Sequence, residues 1–230
     1  METGLEIRGL NKSFGDLKLF ESFDIAFDKG MINCLLGPSG CGKTTLLNLL
    51  SGALDADNIA KNDFRGKRFS YVFQEPRLLP WKTAEENLIF TLKDTIPGHE
   101  LNAKAEEYLK LVELHEFRSF YPAKLSGGMK QRLSLARAFS FPSEVILMDE
   151  PFKALDMKLK TSLMERFRRL WKKDRRTVIF VTHDVDEAIE LGHNIQVLEG
   201  PPVKIIDNYI LNSENKYDIR TEIFERVYRG

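Results

Sequence analysis

Gly37, Gly42, Lys43 and Thr44 stand in the spacing G-x-x-x-x-G-K-[ST] within LLGPSGCGKTTLLNLL, residues 35–50. These are the residue types that a polyphosphate needs. Glycines let backbone N–H groups curl around phosphate oxygens, and a helix start adds partial positive charge. A lysine ammonium there reaches β- and γ-phosphates, and the Thr44 hydroxyl can ligate Mg2+. An apolar run before the loop and a helix-forming run after it set it apart from a glycine-rich turn with a chance lysine. The expected cradle is Gly37, Pro38, Ser39, Gly40, Cys41, Gly42, Lys43, Thr44 and Thr45. Cys41 sits where a thiolate is favoured, and is read as a small tolerated side chain rather than a redox switch.

A second pair closes VILMDE, residues 145–150, where Asp149 and Glu150 follow an apolar run. Carboxylates at the end of a buried strand are costly unless a cation or a water meets them. Asp149 is suited to hold Mg2+ through water, and Glu150 to polarise an attacking water. Many strands end in acids, so the pair gains its meaning from the phosphate loop upstream. LSGGMKQR, residues 125–132, opens a helix with Ser126, Gly127 and Gly128. That is a second phosphate cradle on the logic of the first, or a plain N-cap with two loop glycines.

These groups need a scaffold. LEIRGL and FDIAF alternate apolar and polar residues and predict short strands near the start of the chain. MINCLL, before the loop, is a continuous apolar run and predicts a buried strand. KTTLLNLLSG, after it, predicts a helix that stops at Gly52. Residues 53–70 are polar and irregular, FSYVF (69–73) is a strand candidate, and QEPRLLPW is a loop. Thr83 and Glu86 have the spacing of a capping box, which starts a helix near Ala84. From there to about residue 140 the chain reads as mostly helical, with Leu101, Ala105, Leu109 and Val112 at helical spacing. EVILM (144–148), TVIFVT (177–182) and NIQVL (194–198) predict strands. Leu159, Leu163, Phe167 and Leu170 form one face of a helix between the first two, and DVDEAIEL a helix between the last two. EGPPVKI turns into an edge strand, and RTEIFERVYRG (220–230) predicts a short terminal helix. This alternation is α/β with a largely parallel central sheet, an N-terminal antiparallel β region and a helical insert.

Bulk properties exclude several classes. The chain has 230 residues, enough for one domain with a subdomain. Its 34 basic and 34 acidic residues cancel, so it lacks the basic excess of a general nucleic-acid binder. The one basic run, RFRRLWKKDRR (166–176), has its apolar residues on one helical face and reads as a solvated amphipathic helix. Two cysteines exclude a disulfide scaffold and fit a reducing compartment. The four histidines show no metal spacing with them. The first residues lack the features of a signal peptide, and no apolar run approaches the ~18 residues of a membrane helix. Work at a membrane would therefore go through a partner.

With these motifs in this order, the chain resembles the ATP-binding subunit of an ABC transporter over roughly residues 4–200. LSGGMKQR resembles that family's signature, which ordinary GTPases and kinases lack. The resemblance implies a P-loop NTPase in which 1–230 is one ABC ATPase domain. Residues 1–75 and 144–230 would form the core, and 76–143 a helical subdomain between the Q-loop and the signature. Gln74 in YVFQEP resembles the Q-loop glutamine, which touches Mg2+ and senses the membrane subunit. Asp156 in PFKALD resembles the D-loop residue at the dimer interface. His183 in FVTHD resembles the switch histidine that meets the γ-phosphate, although a lone histidine at a strand end is more often structural. Phe14 stands where the family usually has a tyrosine stacked on adenine; a core phenylalanine is the alternative. The resemblance thus implies Lys43, Gln74, Glu150 and His183 as catalytic, with Thr44, Gln74 and Asp149 toward Mg2+. Each ATP would lie between one chain's phosphate loop and the Ser126–Gly128 turn of a second copy.

FQEPRLLPWKTAEENL (73–88) resembles the importers of nitrate, sulfonate and taurine type. Leu78, Leu79 and Trp81 are apolar in a proline-bounded loop, and an exposed apolar cluster marks a partner site. Here the segment Gln74–Trp81 would receive a short helix of a transmembrane permease; local packing is the alternative. The chain ends soon after its last strand, so it is expected to lack a C-terminal regulatory domain. The implied protein is a cytoplasmic ATPase, peripheral on the inner face of the membrane and working as a homodimer. A solute-binding protein would be only an indirect partner, and nucleic acid none. The rivals are a soluble ABC ATPase of nucleic-acid repair or translation and a module that binds nucleotide without hydrolysis. Three departures stand out. Gln74 follows Lys43 by only 31 positions, which predicts trimmed antiparallel strands. Lys153 stands in PFKALD where a small residue is typical, and Asn194 in LGHNI where arginine is frequent.

Overall fold

A computed structural model describes residues 4–153, 155–212 and 215–229. Ala154 of PFKALD and the final Gly230 lie outside the described residues. The chain runs β1 Leu5–Phe14, β2 Leu17–Phe27, β3 Ile32–Leu36, α1 Lys43–Ser51, β4 Lys61–Asn62, β5 Phe69–Val72, α2 Ala84–Leu92 and α3 Leu101–Leu111. It continues α4 Gly127–Ser140, β6 Val145–Asp149, α5 Met157–Asp174, β7 Thr177–Thr182, α6 Val185–Leu191, β8 Asn194–Glu199, β9 Lys204–Ile210 and α7 Lys216–Arg229. Two compact units result: Met1–Phe69 with Arg176–Gly230, and Ser70–Arg175.

In the first unit the strand order is β7-β3-β8-β9. Every residue of β3 and of β7 is buried. β3 lies parallel to both neighbours, with Cys34 opposite Phe180 on one side and Ile195 on the other. A strand covered on both faces favours apolar residues without alternation, and the one polar residue of INCLL, buried Asn33, donates to the Asp28 carbonyl at 3.0 Å. β9 returns antiparallel to β8, and its half-exposed pattern with Lys204 and Asp207 suits an edge.

A second sheet in this unit has the order β2-β1-β4 and is antiparallel. β1 and β2 extend well beyond LEIRGL and FDIAF, pairing from Leu5 with Phe27 to Phe14 with Leu17. Register shifts between Ile7 and Ser13 absorb residues that would break the alternation, as β-bulges do. The expected trimming leaves a two-residue β4, paired to Ile7 and Arg8, and a bridge between Asn11 and Asn58. The stretch read as polar and irregular also supplies Phe64, which is fully buried edge-on to Phe27 at 5.7 Å and stacked on Phe69 at 6.3 Å. α7 starts at Lys216, four residues before the terminal helix expected from sequence.

The second unit holds α2 to α5 and the neighbouring strands β5 and β6. α2 starts where the capping box placed it. The Thr83 hydroxyl accepts the Glu86 N–H at 3.2 Å, and the Glu86 carboxylate accepts the Thr83 N–H at 2.7 Å. Ala105, Leu109 and Val112 are fully buried. α5 buries Leu163, Phe167 and Leu170, but Leu159 in its first turn stays 43% exposed and leaves the expected face. The basic run lies largely on this helix, with Arg166 against Glu113 and Lys173 against Glu107 while Phe167 and Trp171 point into the core. The fold is therefore α/β, with a mostly parallel sheet, an antiparallel sheet and helices. No described helix is long and apolar enough to cross a membrane.

Candidate nucleotide-binding site

The phosphate loop leaves β3 at Leu36 and enters α1 at Lys43. Gly37 sits in a space that admits no side chain: a Cβ there would lie 2.5 Å from the Leu198 carbonyl oxygen. Its N–H donates to the Thr182 carbonyl at 3.3 Å. Gly42 is the N-cap of α1 with φ of +107°, in the left-handed region that glycine tolerates. It offers no side chain to the first turn, so no capping oxygen competes for the helix's leading N–H groups. That is the arrangement that receives an anion.

Lys43 is almost buried, at 5% exposure. Its Nζ donates to the carbonyls of Gly37 and Pro38, each at 2.7 Å, and lies 3.8 Å from Cys41 Sγ. Pro38, Ser39, Gly40 and Thr44 are exposed around it, Thr45 is half-buried and Cys41 is buried. Beneath the loop, burial pushes the Cys34 thiol well up, Glu187 adds to the shift and Lys43 opposes it.

Thr182 ties the loop to the segment carrying His183. Its hydroxyl donates to Glu187 Oε2 at 2.6 Å and accepts the Asp184 N–H at 3.1 Å. The Asp184 carboxylate then caps α6 by accepting the Glu187 N–H at 3.1 Å. Thr182 and Glu187 are buried, whereas His183 is exposed immediately after β7. Sequence reasoning singled out His183 and missed Thr182 and Glu187. The available signal was a glutamate on the inward side of an otherwise apolar turn. Phe14 ends β1 at 48% exposure, with the Lys12 ammonium 5.4 Å over its ring, so it is not a core residue.

The second unit holds the remaining candidates. Asp149 ends β6 half-buried. Its negative charge adds to the burial that pushes the Tyr71 phenol up. Glu150 follows with φ of +42°, and its Oε2 lies 2.7 Å from Lys153 Nζ. Gln74 is exposed beyond β5. Its neighbours on either side form a stack: Tyr71 on Phe73 at 4.2 Å, and the Arg77 guanidinium over Phe73 at 3.8 Å. Of the apolar trio, Leu78 and Leu79 are half-buried while Trp81 is 70% exposed.

Asn87, fully buried, organises that loop and was missed from sequence. Its Oδ1 accepts the Leu79 N–H at 2.9 Å, and its Nδ2 faces the carbonyls of Leu79, Lys82 and Thr83 at 2.9–3.2 Å. Ser126 caps α4 by accepting the Met129 N–H at 3.3 Å. Gly127 is exposed; Gly128 is buried with the Leu159 side chain against it. Asp156 caps α5 by accepting the Leu159 N–H at 3.0 Å, and Gln131 donates to the Pro151 carbonyl at 2.7 Å. Among the described residues no group of three His, Cys, Asp or Glu could hold a metal. The expected donors Thr44, Gln74 and Asp149 are all oxygen ligands. They suit Mg2+, which typically takes one or two carboxylates and lets substrate phosphates and water complete its shell.

A model of the ABC transporter family matches residues 20–153. The chain is 36% identical to an aliphatic sulfonates import ATP-binding protein SsuB of Bacillus cereus, over 96% of this chain and 92% of that one. It is 38% identical to the spermidine/putrescine import ATP-binding protein PotA of Pasteurella multocida, over 84% of this chain and 55% of that one. Among solved structures, it resembles the dimeric post-hydrolysis state of the ATP-binding cassette MJ0796 bound to ADP and Pi. The TM-score is 0.77 at 28% identity, over 91% of this chain and 99% of that one.

Proposed function

The chain belongs to the ABC transporter family, and from that membership we propose that it is the ATP-hydrolysing subunit of an importer for a small solute of the nitrate, sulfonate or taurine kind. The observation that carries the reading is the loop itself. It combines a position closed to any side chain, an uncapped helix start and a nearly buried ammonium on its own carbonyls. Both relatives above are import ATP-binding proteins by name.

In this reading Gly37–Thr45 wraps the phosphates and Lys43 orients the β- and γ-groups. Thr44, Gln74 and Asp149 would hold Mg2+, which would neutralise phosphate charge. Glu150 accepts the proton of a water aimed in line at the γ-phosphorus, His183 steadies the γ-phosphate, and Phe14 stacks on the adenine. The rate gain comes from positioning and charge neutralisation. Ser126, Gly127 and Gly128 close over the ATP of a second copy in a homodimer, with Asp156 at the interface. Residues 76–143 act as the helical subdomain of one domain over 1–230, its core formed by 1–75 and 144–230. The loop from Gln74 to Trp81 docks a transmembrane permease on the inner face of the membrane. Trp81 is the anchor, because Asn87 fixes the loop while leaving that ring exposed.

Phosphate release from ATP tests the chemistry. Glu150→Gln is expected to bind ATP, hydrolyse it very slowly and dimerise in its presence; full turnover would remove Glu150 from the base role. Purification of the tagged chain from membranes of its host in mild detergent tests the transport assignment. A polytopic membrane protein is expected alongside it, and only soluble partners or nucleic acid would overturn the importer.

A further inference from the structure

We propose that Lys153 is a positioning residue that restrains the Glu150 carboxylate and so slows ATP hydrolysis by this chain. The proposal rests on Glu150 being the group that accepts the proton of the attacking water. Three features bring the two side chains together. Glu150 adopts φ of +42°, a left-handed conformation costly for a residue with a Cβ, which turns the chain sharply after β6. The Lys153 N–H donates to the Glu150 carbonyl at 3.1 Å and closes that turn. Phe152, 1% exposed and edge-on to Phe167 at 6.4 Å, pins the turn in the core. The Lys153 ammonium is thereby held 2.7 Å from Glu150 Oε2.

The pair matters for chemistry more than for stability. The Lys153 side chain is 39% exposed, and ion pairs of that kind add little to folding. The Glu150 side chain is only 12% exposed, so the contact is poorly screened from the carboxylate's side. The contact is an ion pair by distance, without hydrogen-bond geometry at Oε2. The pair holds the carboxylate in place, so it must break for that oxygen to turn toward water.

The test is steady-state ATP turnover of the full chain at saturating ATP and Mg2+. Lys153→Met keeps the length of the side chain and removes its charge; Lys153→Arg keeps the charge. In Lys153→Met, kcat is expected to rise about threefold to tenfold, with KM for ATP within about twofold and an unchanged melting temperature. Lys153→Arg should keep the low turnover. Wild-type kcat should rise as potassium chloride goes from about 0.05 to 0.5 M, because added salt screens the pair, and Lys153→Met should lose that response. Loss of turnover in Glu150→Gln, with no gain in Lys153→Met, overturns the restraint and leaves the base in place. An equal gain in Lys153→Arg overturns it as well, since charge would not be the cause. Full turnover in Glu150→Gln removes the base itself, and the restraint falls with it.

Discussion

Replacing Gly37 by alanine tests how the phosphate loop is built. The new carbon would lie 2.5 Å from the Leu198 oxygen, 3.3 Å from its carbonyl carbon and 3.2 Å from Cys41 Sγ. Leu198 is a buried residue of β8, paired with Ile205 of β9, so its oxygen cannot swing aside as a side chain would. The loop must move instead. Its tether there is the long bond from the Gly37 N–H to Thr182, and the same shift draws the Gly37 carbonyl away from Lys43 Nζ. Overpacking of this kind costs about 1–3 kcal/mol. At ~2–4 °C per kcal/mol for a chain of this size, melting should fall by a few degrees or more. Nucleotide affinity should fall at least about tenfold, equivalent to ~1.4 kcal/mol.

Gly40→Ala is the matched control. Its added carbon meets nothing within 4 Å, but φ is +83°, so it pays only the left-handed backbone cost of about 1–2 kcal/mol. Thermal melting and titration with a fluorescent ATP analogue read both variants. A Gly37→Ala protein with wild-type melting and wild-type affinity would refute the close approach of loop and strand.

Asn87→Leu should destabilise the chain by about 1–3 kcal/mol in urea titration, because buried carbonyls and the Leu79 N–H lose their partner. Trp81 emission should shift as its loop relaxes. Glu187→Leu should cost a similar ~1–3 kcal/mol, since the buried Thr182 hydroxyl loses its acceptor, and should lower turnover through the adjoining His183. Glu187→Gln, which keeps an oxygen there, should retain most of both. Stability should also decline in alkali. Burial and the Asp149 charge push Tyr71 up, while burial and the hydrogen bond to Glu222 push Tyr209 up to about 12. Unfolded tyrosines ionise near ~10. Above that pH the unfolded chain therefore holds fewer protons than the folded one, and stability falls as pH rises. The urea midpoint should drop between about pH 10 and 12, and Tyr71→Phe should reduce the drop.

What the chain announces in its sequence is what neighbouring residues decide among themselves. Thr83 and Glu86 satisfy each other within one helical turn, so their spacing alone marks the start of α2. The apolar run of β3 and the glycines after it show the loop before any fold is known. β4 shows the opposite case. Nothing in Lys61–Asn62 marks a strand, and its existence depends on meeting Ile7 and Arg8 from the far end of the unit. Phe64 is a lone aromatic in a polar stretch, and only Phe27 and Phe69 make it core. Within the candidate site, the contact of Lys153 with Glu150 needs a positive φ that no residue type there advertises. Glu187 looks like one more charge on a short helix until Thr182 is placed beside it.

Leu159 broke the helical face expected of it, and its position has a further meaning. Its Cδ2 lies 3.3 Å from where a Cβ on Gly128 would stand. The second residue after the Ser126 cap and the third after the Asp156 cap thus share one small volume. In any family of related chains, a larger residue at one position should travel with a smaller one at the other. Exchanging both together should be tolerated where either exchange alone is not.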